Sequence, residues 1–319
     1  MDARSLTAEE RTALVRRQIK VLDEILVSAL SRPPLSFDLL LVSPAEARFD
    51  PGALAVPRPA PAWEDFEPAR PSRLGRPGTR GWPGARGWLG ARGWFGRRTA
   101  AARSQFQAAL AEHERTEIQR RRALAAAKAQ HDRDVTTERV RAARQNADTA
   151  RRRTLFASRD PRTIEWYVGQ VLRASRYPDV FPRDYEIAYQ RRTRAVVVAA
   201  GLPPRQIVPS ARAFRYASSR AAVEPVPRPD TEIRQRYRRL IAAIALRTLH
   251  EVFAATPPEV VATIAFSGWL TSADPATGQP ERPCLVTVTA ARDAFAQLVL
   301  AAVDPVACLV HLNGTLSLG

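Results

Sequence analysis

Between Thr99 and Arg159 the chain contains neither glycine nor proline. Ala, Arg, Glu and Gln dominate there, and such residues favour helix. The stretch therefore predicts one helix over 99–159, roughly 90 Å long at 1.5 Å per residue. Its apolar positions are sparse: Phe106, Leu110, Ile118, Leu124, Val135 and Val140. Their register slips between Ile118 and Leu124. A long basic helix, mostly solvated, is the reading; a weak coiled coil or an antiparallel hairpin is the alternative. Whatever compact core the protein has must come from outside this stretch.

Upstream, Thr7 and Glu10 have the spacing of a capping box. Val15, Ile19, Leu22, Leu26 and Leu30 follow on one face, so an N-terminal helix is expected within 1–32, stopped by Pro33-Pro34. Residues 33–98 are rich in proline and glycine and predict a disordered linker. Phe49, Trp63 and Phe66 are candidates to pin it to a folded surface. The linker ends in "RGWPGARGWLGARGWFGRR", three passes of Arg-Gly-Trp-x-Gly-Ala, the last ending Gly-Arg.

Residues 160–319 predict a compact domain. Asp160-Pro161 supplies a cap and a first-turn proline for the amphipathic "RTIEWYVGQVLRAS". "DYEIAYQ" and "RAVVVAA" read as a hairpin, "ARAFRYAS" as a third strand. Asp230 is expected to cap a strong helix ending at Pro257-Pro258. "VATIAFSGWLT" and "RPCLVTVTA" read as strands, and "ARDAFAQLVL" and "DPVACLVHL" as short helices. Trp166 and Trp269 are expected inside. The fold class is α+β: N-terminal helix, linker, long helix, then a compact mixed α/β domain.

The net charge of +17 is unevenly placed. Residues 1–70 carry −2, residues 71–159 carry +14 and residues 160–319 carry +5. A concentrated basic field favours a polyanion, and DNA is the expected partner. The candidate nucleic-acid-binding residues are Arg80, Trp82, Arg86, Trp88, Arg92, Trp94, Arg97 and Arg98 in the repeats. Arg120, Arg121, Arg122, Arg151, Arg152 and Arg153 join them from the helix. In the repeats, arginines would meet phosphates and tryptophans would stack on unpaired bases. The competing account is a short duplication that lengthened a linker, which loops accept cheaply. Arginine outnumbers lysine 47 to 2. Compositional bias explains that preference, but not the scarcity of acidic partners in 71–159.

Catalytic and metal-ligating residues are not expected. His113, His131, His250 and His311 pair with no cysteine or carboxylate at ligand spacing, and no GxxxxGK[ST], GxGxxG or GxSxG occurs. Nucleases of the PD-(D/E)xK class need a lysine two positions after an acidic residue or glutamine. Lys20 and Lys128 are the only lysines, each inside a helical stretch. Cys284 and Cys308 read as buried, reduced thiols, which suits the cytoplasm. The apolar stretches near 294–303 and 35–45 are too short to span a bilayer, so no membrane partner is expected.

The strings "ALRTLHE", "DPATG…RPCL" and "DPVACL", with "FDPGAL" and "PAWEDFEPARPSRLGR" upstream, resemble the region preceding the nuclease domain in Mrr-like restriction endonucleases, modification-dependent defence proteins. The resemblance spans nearly the whole chain. It implies a non-catalytic region that engages DNA, self-associates, or both, serving a PD-(D/E)xK domain that would use Mg²⁺. By the resemblance the nuclease domain would begin where the chain stops, at "HLNGTLSLG", so this chain is expected to lack it; Ala199 and Ala200 stand where acidic or polar residues are expected. No catalytic residue or cofactor carries over, and the chain alone is not expected to cut. The alternative class is an oligomerisation scaffold built on the long helix, with no DNA role.

Overall fold

The computed structural model describes residues 7–44, 48–67, 86–220, 222–274 and 276–317; of 86–96 and 219 it describes the backbone. The chain divides into two compact units, Met1–Leu41 with Gln145–Gly319, and Val42–Arg144. The fold is mixed α+β.

In the first unit, α1 (Ala8–Asp23) begins at the expected capping box: Thr7 Oγ1 accepts from the Glu10 backbone and the Glu10 carboxylate accepts from the Thr7 backbone. The N-terminal helix is broken after Asp23, and a separate turn, α2 (Val27–Leu30), resumes it before Pro33. The break turns Ile25 and Leu26, both buried, into the core. The N-terminal segment thus belongs to the same compact unit as the C-terminal residues, which the boundary expected at 160 did not foresee.

The core of this unit is a five-stranded sheet. β1 (Tyr185–Gln190) and β2 (Ala195–Gly201) form the expected hairpin, with Ile187 opposite Val198. β5 (Thr263–Trp269) lies parallel to β2, and α5 (Asp230–Ala255) makes the crossover that a parallel pair requires. β8 (Cys284–Ala291) and β9 (Thr315–Leu316) complete the sheet antiparallel, giving the order β1-β2-β5-β8-β9. "ARAFRYAS" does not join it. β3 (Ala211–Ala217) pairs instead with β4 (Ala222–Pro227) in a separate ribbon against α1, where Thr12 Oγ1 accepts from the Phe214 backbone at 2.8 Å. β6 (Ser272–Ala273) and β7 (Pro280–Glu281) form a small hairpin in the turn-rich loop.

Alternation places Tyr189, Val196, Val198, Ile264, Phe266, Val286 and Val288 inside. α4 (Pro161–Ala174) packs on β1, and α5 on β5 and β8. In α4 the buried residues Ile164, Tyr167, Val168, Val171 and Leu172 recur at helical spacing. Each such burial stabilises by about 1.5–3 kcal/mol. Gly268 is needed for packing, because a Cβ there would lie 2.6 Å from Leu202 Cδ1 and 2.8 Å from Val286 Cγ1. Two short helices, α6 (Arg292–Ala296) and α7 (Pro305–His311), close the domain, α7 being capped by Asp304.

Three local expectations are corrected. Asp230 does not cap α5: Pro229 holds that position, and the Asp230 carboxylate pairs with Arg205 and Arg234. Cys284 is exposed, at the start of β8 where a register shift against β5 breaks the inward–outward alternation, whereas Cys308 is buried. Trp269 is buried but Trp166 only half so, with the Arg152 guanidinium 4.3 Å from its ring centre.

α5 carries a buried polar knot. Arg247 has no exposed surface. It donates to Glu251 Oε1 at 2.9 Å, Ser175 Oγ at 2.8 Å, and the carbonyls of Ile25 at 3.0 Å and Arg176 at 3.2 Å. The Tyr177 ring lies 4.2 Å away. One guanidinium thus ties the N-terminal segment, the end of α4 and α5 together. Burial, and after it the Arg247 charge, hold the neighbouring His250 below the ordinary imidazole pKa. An unfolded histidine takes its proton near about 6.5. The stability from this group is therefore complete above about pH 6.5 and falls as pH drops from there toward the folded value. His250→Gln should flatten the melting-temperature profile between about pH 7 and 5; an unchanged slope would contradict the assignment.

The long helix is α3 (Arg86–Ala157) and runs unbroken, not as a hairpin. It starts before the expected position at 99, because the second and third repeats are helical despite their glycines. Its residues to 144 belong to the second unit, where Trp63 and Phe66 pack around Phe106, with ring centres 5.5 and 5.6 Å apart, and Phe49 lies 5.4 Å from His131. The aromatic residues of the 33–98 segment pin it as expected. Short 3-10 turns form at Phe37–Leu40, Gly52–Ala55 and Trp63–Asp65.

The last residues of α3 belong to the first unit. There Arg159 sits at φ 60, the Arg159 N–H donates to the Phe156 carbonyl, and the Asp160 N–H donates to the Leu155 carbonyl, a Schellman stop. Asp160 then caps α4 through the Thr163 N–H at 2.9 Å. A left-handed arginine is strained relative to glycine. Arg159→Gly is expected to stabilise the unit by about 0.5–1 kcal/mol in denaturant unfolding; a loss of stability would mean that the Arg159 side chain holds the junction.

Candidate nucleic-acid interface

Of the residues selected from sequence, Arg80 and Trp82 lie outside the described residues. Arg86, Trp88, Arg92 and Trp94 lie on the first turns of α3, and Arg97 and Arg98 follow, exposed. Arg120 is committed internally. Its side chain is 16% exposed, it chelates Glu117 at 2.8 and 2.6 Å, and it donates to the Leu54 carbonyl. The hydrogen bond from Arg120 is the main cause that holds Glu117 down to about 2. Arg121 shares Glu117 at 3.2 Å but is outward, and Arg122 is exposed. In the first unit Arg151 is exposed, Arg152 pairs with Asp148 at 2.7 Å, and Arg153 with Asp38 at 3.0 Å. Of the six helix arginines, four therefore pair with carboxylates: Arg120 and Arg121 with Glu117, Arg152 with Asp148, and Arg153 with Asp38.

A basic cluster that the linear sequence does not reveal forms where α3 ends. Arg159 and Arg162 flank the α3–α4 junction, and Arg191, Arg192 and Arg194 make up the β1–β2 turn; all five are exposed. α4 packs on β1, which brings the two runs together. Arg191 donates across the gap to the Ser158 carbonyl at 3.1 Å, and Arg194 to the Pro258 carbonyl at 3.4 Å. The acidic groups here are engaged. Asp160 is held low by its hydrogen bonds from the Thr163 hydroxyl and N–H, and further by Arg162 and Arg191. Glu165 accepts from the Tyr189 N–H at 2.9 Å. Burial raises the Tyr189 hydroxyl while Arg159, Arg194 and Arg191 oppose that rise, so all three act on one point. "SRDPR" and "QRRTR" are about thirty residues apart, and neither is unusual in so arginine-rich a chain. Only the α4–β1 packing gives them a common surface.

Among the described residues no group of three or more His, Cys, Asp and Glu side chains is placed to hold a metal ion, and no helix is long and apolar enough to cross a membrane. Lys20 lies on α1, 3.8 Å from Glu24, and Lys128 on α3. His113 Nε2 lies 3.0 Å from the Arg58 carbonyl. Comparison with family models, curated proteins and solved structures finds no match for the chain.

Proposed function

We propose that the chain engages DNA through its phosphate backbone, as the non-catalytic region of an Mrr-like restriction endonuclease acting in cytoplasmic defence against foreign or modified DNA. The observation that carries the reading is the convergence of Arg159, Arg162, Arg191, Arg192 and Arg194 on one exposed end of the folded sheet. Exposed guanidinium groups on a rigid frame meet phosphates without reading bases. In the resemblance, Mg²⁺ and bond cleavage belong to the nuclease domain, and this chain supplies engagement. Fluorescence anisotropy with a random-sequence duplex tests it: salt-sensitive binding that no particular sequence dominates is expected, and absence of binding at low salt would refute it.

The scaffold reading keeps one supporting observation. α3 exposes Leu110, Ile118 and Val140 on an otherwise polar helix. Sedimentation over a hundredfold concentration range separates the two: self-association without DNA binding would favour the scaffold.

A further inference from the structure

The buried knot around Arg247 forms the floor of a cavity of about 340 Å³ between the loop after α2, the C-terminal end of α4, and α5. That volume is within the range of small-ligand sites. Its lining is of three kinds. Pro33, Pro34, Leu35, Leu39 and Val171 make apolar walls. Arg32 and Arg176 bring exposed guanidinium groups to it. Ser175 and Glu251 provide polar atoms, and these are unevenly used. Glu251 Oε1 accepts from Ser175 Oγ at 2.7 Å and from Arg247 at 2.9 Å, whereas Glu251 Oε2 is buried with no hydrogen-bond partner. A buried carboxylate oxygen left unpaired is costly. Glu251 is part of the cavity lining, and a small turn of its side chain would bring the buried Oε2 to a donor entering there.

We propose that this cavity binds a nucleotide whose base carries an exocyclic amino group. The amino N–H donates to Glu251 Oε2, the planar base lies between the proline and leucine walls, and the phosphate meets Arg32 and Arg176. The chemistry is selective. The Glu251 charge is already balanced by Arg247, so a simple cation gains little there. The two outer arginines ask for an anion, and the apolar walls ask for a flat body between donor and anion. The inference is independent of the DNA reading, because the basic cluster is at the opposite end of α4 from Ser175 and Arg176.

Isothermal titration of the full chain with adenosine 5′-monophosphate tests it, with purine riboside 5′-monophosphate, which lacks the amino group, and inorganic phosphate as comparators. Adenosine monophosphate should bind with a millimolar or tighter Kd, and each comparator at least tenfold more weakly. Arg32→Ala with Arg176→Ala should weaken the nucleotide at least tenfold. Ala174→Phe, at an exposed position on the cavity wall, should abolish binding while circular dichroism and melting temperature stay unchanged. No binding at millimolar nucleotide, equal affinity for phosphate alone, or indifference to these variants would overturn the proposal.

Discussion

Replacing Arg247 by alanine should destabilise the first unit by about 3–5 kcal/mol, the cost of breaking a buried ion pair from one side. Arg247 is fully buried and the Glu251 side chain is 15% exposed. The substitution leaves the Glu251 carboxylate and the carbonyls of Ile25 and Arg176 without their donor. Such a loss is a large fraction of the stability of an ordinary domain. In urea unfolding the midpoint should fall sharply, and the N-terminal helix should release early, because Ile25 and Ser28 are held by the same guanidinium. Removing both charges, as Arg247→Met with Glu251→Leu, should recover a substantial part, since an apolar pair no longer strands a carboxylate. A cost below about 1 kcal/mol for Arg247→Ala would show that water reaches the knot.

Neutralising the cluster at the α3–α4 junction should have the largest effect on DNA. The variant Arg159→Gly, Arg162→Gln, Arg191→Gln and Arg192→Gln keeps the backbone stop of α3 and the hydrogen bond from Arg194. With four charges of the cluster removed, duplex binding should weaken by about 10²–10³-fold at about 0.1 M salt. Arg120→Gln should affect binding far less, because Arg120 is turned inward to Glu117 and Leu54. Equal weakening by the two variants would place the DNA on the long helix.

The elements legible in the sequence were those whose signals are local. The Thr7–Glu10 capping box, the Asp160-Pro161 start of α4, the β1–β2 hairpin and the Asp304 cap each depend on residues within a few positions. The long helix was legible from its lack of glycine and proline, but its true start at Arg86 was not. Two repeats of glycine-containing sequence are helical there against local propensity. The fate of β3 depended on α1, about two hundred residues away, whose Thr12 pairs with Phe214. Charge was least legible. Sequence shows how many arginines a segment carries but not which of them face a carboxylate. Arg120 is turned inward onto Glu117 and Arg153 pairs with Asp38 at the surface, while Arg191 and Arg192, in a short turn, stand outward beside Arg162.

The most direct test of the central claim is the salt dependence of duplex binding by the unmodified chain and the four-arginine variant, measured between about 50 and about 300 mM salt. Each phosphate neutralised contributes about 0.9 to the slope of log K against log salt. The account predicts a steep negative slope for the unmodified chain and one shallower by about 3–4 for the variant. Parallel slopes would contradict it, because they would mean that DNA never meets the arginines at the end of the sheet.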